Sequence, residues 1–230
     1  METWETFNTK NVSHAQIVFT LAPAIMENQE QEIVAAAFAM FNKYGVRSVT
    51  MDDVARELSI SKKTLYKYFE NKADLVHKCI RSVYDQVEDA LLAVHEQADN
   101  AIDELFEIDE VVGRIMENHN PGMRYQLQKY YPQTYNYMYE GRHDLIHKMI
   151  SENLERGKRD GWFRQDVETD IITFLYCSKV ETMPEEDEEM MARHPIKRIA
   201  GQSLEYHIRG VATKKGLAYL EEKLMTYPKK

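Results

Sequence analysis

Between Ser61 and Lys72 the chain reads SKKTLYKYFENK. Lys62, Lys63, Lys67 and Lys72 bring ammonium groups, Thr64 a hydroxyl, and Tyr66 and Tyr68 phenols. If the stretch is helical, Leu65 and Phe69 stand one turn apart and form its buried side. Lys62, Lys63, Thr64 and Lys67 then face outward. Such a set recognises rather than reacts. Ammonium and hydroxyl donors bond phosphate oxygens and the guanine or adenine edges of a duplex, and a threonine methyl meets a thymine methyl. Tyr66 and Tyr68 add hydroxyls that reach bases or phosphates. Lys72 opens the following helix, where free backbone N–H groups also attract phosphate, and Thr50 offers the same at an earlier helix start.

Charge agrees with this chemistry locally and opposes it globally. The whole chain carries a formal −9, which argues against a protein coated in nucleic acid. From Arg56 to Lys72, however, five basic residues face two acidic ones. Screening limits distant acids to a reach of about 8–10 Å in physiological salt, so a local basic patch survives in an acidic whole.

The elements that must hold these residues announce themselves by caps. Ile33, Ala37, Phe41 and Tyr44 recur at helical spacing from Glu27 onward, and Gly45 follows as a left-handed stop. Thr50 with Asp53 three residues later forms a capping box, and Val54, Ala55 and Leu58 give the apolar face of a short helix ending near Ser59. Ser61 caps a second short helix and Asn71 a third, long one running to about His95 through Leu75, Val76, Ile80, Val83, Val87 and Leu91. Short helices at 50–58 and 61–69 joined by so few residues make a steep crossing, with Ala55 small enough to allow close approach. This is helix-turn-helix geometry, in which the second helix enters the major groove.

The segment FNKYGVRSVTMDDVARELSISKKTLYKYFENKADLV resembles the N-terminal domain of the tetracycline-repressor (TetR) family of transcriptional regulators. Gly45, Thr50, Val54-Ala55, Thr64-Leu65-Tyr66, Phe69, Lys72 and Leu75 stand in the family register. Ser59 departs from it, because the family commonly has Gly in that turn. A non-Gly residue held left-handed costs on the order of 1 kcal/mol. The resemblance implies an all-α fold: a three-helix helix-turn-helix head followed by a larger helical body that binds an effector and dimerises. It implies a homodimer on double-stranded DNA, a palindromic operator read by helices about 34 Å apart, a bias toward repression, and a small-molecule effector felt through the long helix 71–95. The expected organisation is a tail at 1–26, a DNA-binding head at 27–72 and an effector and dimerisation body at 73–230. By the same resemblance the dimer forms through helices 167–179 and 196–214, with Phe174, Ile199, Leu204 and Ile208 as candidate contacts.

Beyond the head the sequence reads as helices at 103–118, 135–159 and 216–227 as well. Tyr125, Tyr130, Tyr131, Tyr135, Tyr137 and Tyr139 crowd together. Phenols suit both a helix seam and a ligand cavity, and Tyr125, Tyr131, Tyr135 and Tyr139 are the candidates for an effector pocket. His143 and His147 have a chelating spacing but no third ligand, so they read as surface or packing residues and no metal or cofactor is expected. Cys79 and Cys177 lie in apolar helical contexts and read as buried thiols, which suits a reducing cytoplasm. The run Glu181–Glu189 reads as a solvated loop or helix end. Ala15–Met26 has a faint secretory look, but the acidic METWETF before it contradicts a signal peptide; a loose tail or a true start at Met26 fits better. No run is long and apolar enough for a membrane span. GxSxG, HExxH, a phosphate-cradling glycine loop and the Rossmann fingerprint are all missing, so an enzyme is not expected. The rivals are a head that docks protein instead of DNA, and a catalytic helical protein without DNA binding.

Overall fold

The computed structural model describes residues 29–117, 120–181 and 188–226. The expected tail, and residues 182–187 of the acidic run, lie outside them. Three caps start the head. Helix α1 (Gln29–Tyr44) stops at Gly45, whose φ of 84° and bond from its N–H to the Phe41 carbonyl (2.9 Å) close the last turn. Helix α2 (Met51–Glu57) opens on the reciprocal Thr50–Asp53 capping box. Helix α3 (Lys62–Tyr68) opens on Ser61, whose hydroxyl accepts from the Thr64 N–H, and α4 (Lys72–Gln97) opens on Asn71. Ser59, between α2 and α3, has a φ of 53°, the left-handed conformation its turn position demands.

Ile33, Ala37, Phe41, Val54, Ala55, Leu65, Phe69, Leu75, Val76 and Ile80 pack into one head core. Burial of Leu65 and Phe69 stabilises this packing by about 1.5–3 kcal/mol each. The core does not end where the head was expected to end. Met123 and Leu127 belong to it too, and they come from α6 (Pro121–Tyr130). The sequence pattern ends a helix before Pro121 and carries no helix expectation between 118 and 135. In fact Asn120 caps the helix and Pro121 sits in its first turn, where its missing N–H costs nothing.

The body consists of α5 (Ala101–Glu117), α7 (Pro132–Arg159), α8 (Thr169–Glu181), α9 (Glu188–Arg193), α10 (Ile196–Val211) and α11 (Lys214–Thr226). Ile102, Leu105, Phe106, Ile150, Leu154, Phe163, Leu204, Ile208 and Leu220 form its core. The helix expected at 196–214 ends at Val211, where Ala212 bridges Phe163 as an isolated antiparallel pair. Leu204 and Ile208, expected at a dimer contact, are 5% and 0% exposed within a single chain, so they pack into the body core.

Candidate nucleic-acid interface

The α2–α3 unit positions its outward side chains through local bonds. The Thr50 hydroxyl accepts from the Asp53 N–H and donates to the Asp53 carboxylate (2.6 Å), which holds that carboxyl below its usual range. Asp53 also pairs with Arg56 at 3.6 Å. The Thr64 hydroxyl shares a hydrogen bond with Ser61 Oγ (2.8 Å) at the start of α3. Lys62 reaches across the turn to Asp52, tying α3 to α2 and offsetting its own charge.

Lys63 and Lys67 are exposed and have no carboxylate partner among the described residues. Tyr66 stands beside them, 51% exposed for a large aromatic side chain. These three share one helix with Leu65, which is fully buried, so the core fixes their direction. Tyr68 differs. Its ring packs on the head core and its hydroxyl donates to Gln29 Oε1 (2.9 Å), so it braces α1. Lys72 bends back and donates to the Arg47 carbonyl (3.2 Å); partial burial lowers its pKa.

Residues missed by the sequence reading adjoin this edge. Arg47 donates through Nη1 to the Tyr130 hydroxyl (3.1 Å), and its backbone N–H donates to Gln126 Oε1 (2.9 Å). Lys129 donates to the Tyr125 hydroxyl (3.0 Å). Once α6 is recognised as a helix, the i, i+4 spacing of Tyr125 and Lys129 is the signal that would have found this pair.

The candidate effector tyrosines do not converge on one space. Tyr125 is exposed on α6. Tyr131 and Tyr135 pack against the head core, and Tyr135 stacks on Tyr139 with centroids 6.2 Å apart. Tyr137 meets the His77 ring edge-on at 5.0 Å, and Tyr84 donates to the Gly141 carbonyl, so this tyrosine-rich stretch is chiefly the α4–α7 seam. Burial pushes the Tyr84 phenol up to about 12. His143 and His147 stack, and no group of metal-binding side chains forms among the described residues.

In the body interior, Asn153 Oδ1, Thr173 Oγ1 and His207 Nε2 are shut off from solvent without a hydrogen-bond partner among the described residues. His207 meets Tyr176 edge-on at 4.8 Å, and Lys179 lies 4.0 Å over the same ring. On the outer side of α8, Phe174 is 66% exposed beside Ile171 and Leu175, and Tyr206 of α10 is 80% exposed. Ile199 is half-buried. No helix among the described residues is long and apolar enough to cross a membrane.

Residues 33–79 match the model of the bacterial regulatory proteins of the tetR family. An HTH-type transcriptional regulator of Staphylococcus aureus (strain USA300) is 27% identical over 158 residues, covering 64% of this chain and 82% of the relative. The HTH-type transcriptional repressor KstR2 of Mycobacterium tuberculosis is 23% identical over 150 residues, covering 64% of this chain and 75% of its own. Among solved structures, a transcriptional regulator from Saccharomonospora viridis in complex with choline superposes with a TM-score of 0.63 at 15% identity, covering 80% of this chain and 98% of that one. At that identity the likeness speaks to fold alone.

Proposed function

From the premise that this chain belongs to the TetR family and is a DNA-binding transcriptional regulator, we propose that it represses transcription as a homodimer on a palindromic operator and is released by a small molecule. The observation that carries the proposal is the outward face of α3. Lys63 and Lys67, with no carboxylate partner among the described residues, and exposed Tyr66 project from a helix anchored by buried Leu65. Thr50, Lys62, Thr64 and Lys72 frame that face, with Tyr68 as its brace.

The homodimer is supported by Ile171, Phe174 and Leu175, which share one exposed apolar side of α8, and by exposed Tyr206 on α10. Phe174 keeps its proposed place in the contact, and half-buried Ile199 of α10 remains a candidate beside it in that role. A dimer sets two recognition helices about 34 Å apart, one turn of duplex. The effector reading is supported by the orphaned polar atoms of Asn153, Thr173 and His207 inside the body. Buried polar groups are normally bonded, and a ligand that supplies the missing partners gains affinity there. Tyr131, Tyr135 and Tyr139, at the seam where body meets head, are placed to transmit its arrival. Release requires that the effector bind the non-operator spacing of the heads more tightly than the operator spacing. We assign residues 27–72 to the head and 73–230 to the body, with α6 as the body element seated in the head core.

The test is a gel-shift series on palindromes from the chain's own upstream region, with mass measured in parallel. Lys63→Ala/Lys67→Ala should lose operator binding while remaining dimeric, and Phe174→Glu should become monomeric and lose cooperative binding. Full operator affinity in both variants would reject the proposal.

A further inference from the structure

We infer that a second phosphate-binding strip, formed by Arg47 and Lys129 with Tyr125 and Tyr130, carries the DNA contact beyond the recognition helix onto α6, so that a helix of the effector body itself touches the duplex. The inference rests on the DNA-binding reading above and extends it to residues outside the helix-turn-helix.

Charge is the first argument. Much of the basic complement in the head and α4 is neutralised: Arg56 by Asp53, Lys62 by Asp52, Lys78 by Glu30 and Arg81 by Asp85. Arg47 and Lys129 pair with no carboxylate among the described residues. Their partners are neutral phenols. The Arg47 guanidinium lies 5.2 Å from the Tyr130 ring centroid, and the Lys129 ammonium lies 5.3 Å from that of Tyr125 and 5.5 Å from that of Tyr130. Cation–π contact and phenol bonding hold the cations in place without cancelling their charge. In a chain of net −9, positive charge left uncompensated beside the DNA-reading unit suits a polyanion.

Position is the second argument. The Arg47 carbonyl accepts from Lys72, and Arg47 precedes the α2 cap Thr50 by one short turn. The strip therefore continues the Thr50–Lys72 edge rather than standing apart from it. Arginine and tyrosine hydroxyls on such an edge meet phosphates and fix register, not sequence.

Rigidity is the third. Met123 and Leu127 bury α6 in the head core, Asn120 makes hydrogen bonds of 2.9 and 2.8 Å with Asn42, and Gln126 accepts from the Arg47 N–H. Lys129 is thus carried at a fixed place relative to α3. Any effector that displaces α6 loosens phosphate grip directly, in addition to whatever passes along α4.

The test is fluorescence anisotropy of the full-length protein on an operator duplex with flanking base pairs, titrated between about 50 and 200 mM salt. Lys129→Ala and Arg47→Ala should each make the slope of log K against log salt shallower by about 0.9 per protomer. Affinity should fall by the same factor on operator and on unrelated duplex, Lys129→Arg should restore it, and phosphate ethylation outside the half-sites should interfere with the parent but not with Lys129→Ala. Lys129 is exposed, so its variant reports on contact and not on folding. An unchanged slope in Lys129→Ala, with Lys63→Ala/Lys67→Ala still weakening binding, would overturn the strip and leave the helix-turn-helix reading standing. Salt-independent binding by the parent would overturn both.

Discussion

The Arg156 guanidinium stands 3.3 Å from the Glu104 carboxylate, and Glu104 is completely buried. The same guanidinium donates to the His95 and Ala98 carbonyls at 3.2 and 2.6 Å, while His95 Nδ1 lies 2.7 Å from the other Glu104 oxygen. One ion pair therefore joins the end of α4 to α5 and α7. Removing one partner strands a buried charge. Arg156→Ala should cost about 3–5 kcal/mol, lowering the melting temperature by about 6–20 °C for a chain of this size. A melt within a degree of the parent would show that the pair does not hold α4 to the body.

Gly157, next in sequence, is needed for a different reason. A Cβ at that position would overlap the Phe163 ring, which is fully buried in the body core. Gly157→Ala should destabilise by about 1–3 kcal/mol through overpacking. Gly157→Ala combined with Phe163→Leu should recover part of the loss in a thermal melt. Equal melting of parent and single variant would contradict this packing.

His207 gives the body a pH dependence. Burial, with Lys179 alongside, holds its pKa down at about 3; Tyr176 packs edge-on against the ring, and Asp109 acts on Tyr176 and Lys179. The unfolded chain takes up that proton near 6.5. Between these values the unfolded state binds more protons, so stability falls as pH falls through this window, by up to about 1.4 kcal/mol per pH unit. Above the window the penalty is absent. His207→Gln should flatten the decline in denaturation midpoint between roughly pH 6.5 and 4. An unaltered decline would mean that the imidazole is not kept neutral in the fold.

Local chemistry in the head was readable from sequence because caps are short-range. Thr50 with Asp53, Ser61 with Thr64 and Asn71 with Asp74 each close within one turn, and Gly45 and Ser59 adopt the left-handed backbone their positions imply. What failed was long-range. Helical spacing marks Leu204 and Ile208 as buried but cannot say whether the cover is the same chain or a second copy. Crowded tyrosines look alike whether they line a cavity or, as Tyr135 and Tyr137 do, pack a seam. Tyr68 bonds Gln29, far away in sequence, and Lys62 reaches Asp52 across the turn, contacts that local spacing does not reveal. Arg47 was passed over because its significance depends on α6, the helix hidden behind Pro121-Gly122.

The central claim is that α3 reads duplex DNA with its Lys63–Tyr66–Lys67 face. The most direct measurement is the affinity of parent, Lys63→Ala and Tyr66→Ala for a duplex selected from a random pool, set against an unrelated duplex at the same salt. Loss of a base-reading group weakens the selected duplex by about 1–3 kcal/mol, or roughly 5- to 150-fold, and the unrelated duplex far less. Failure of the parent to select any sequence, or equal affinity of all three proteins for the selected duplex, would contradict the account.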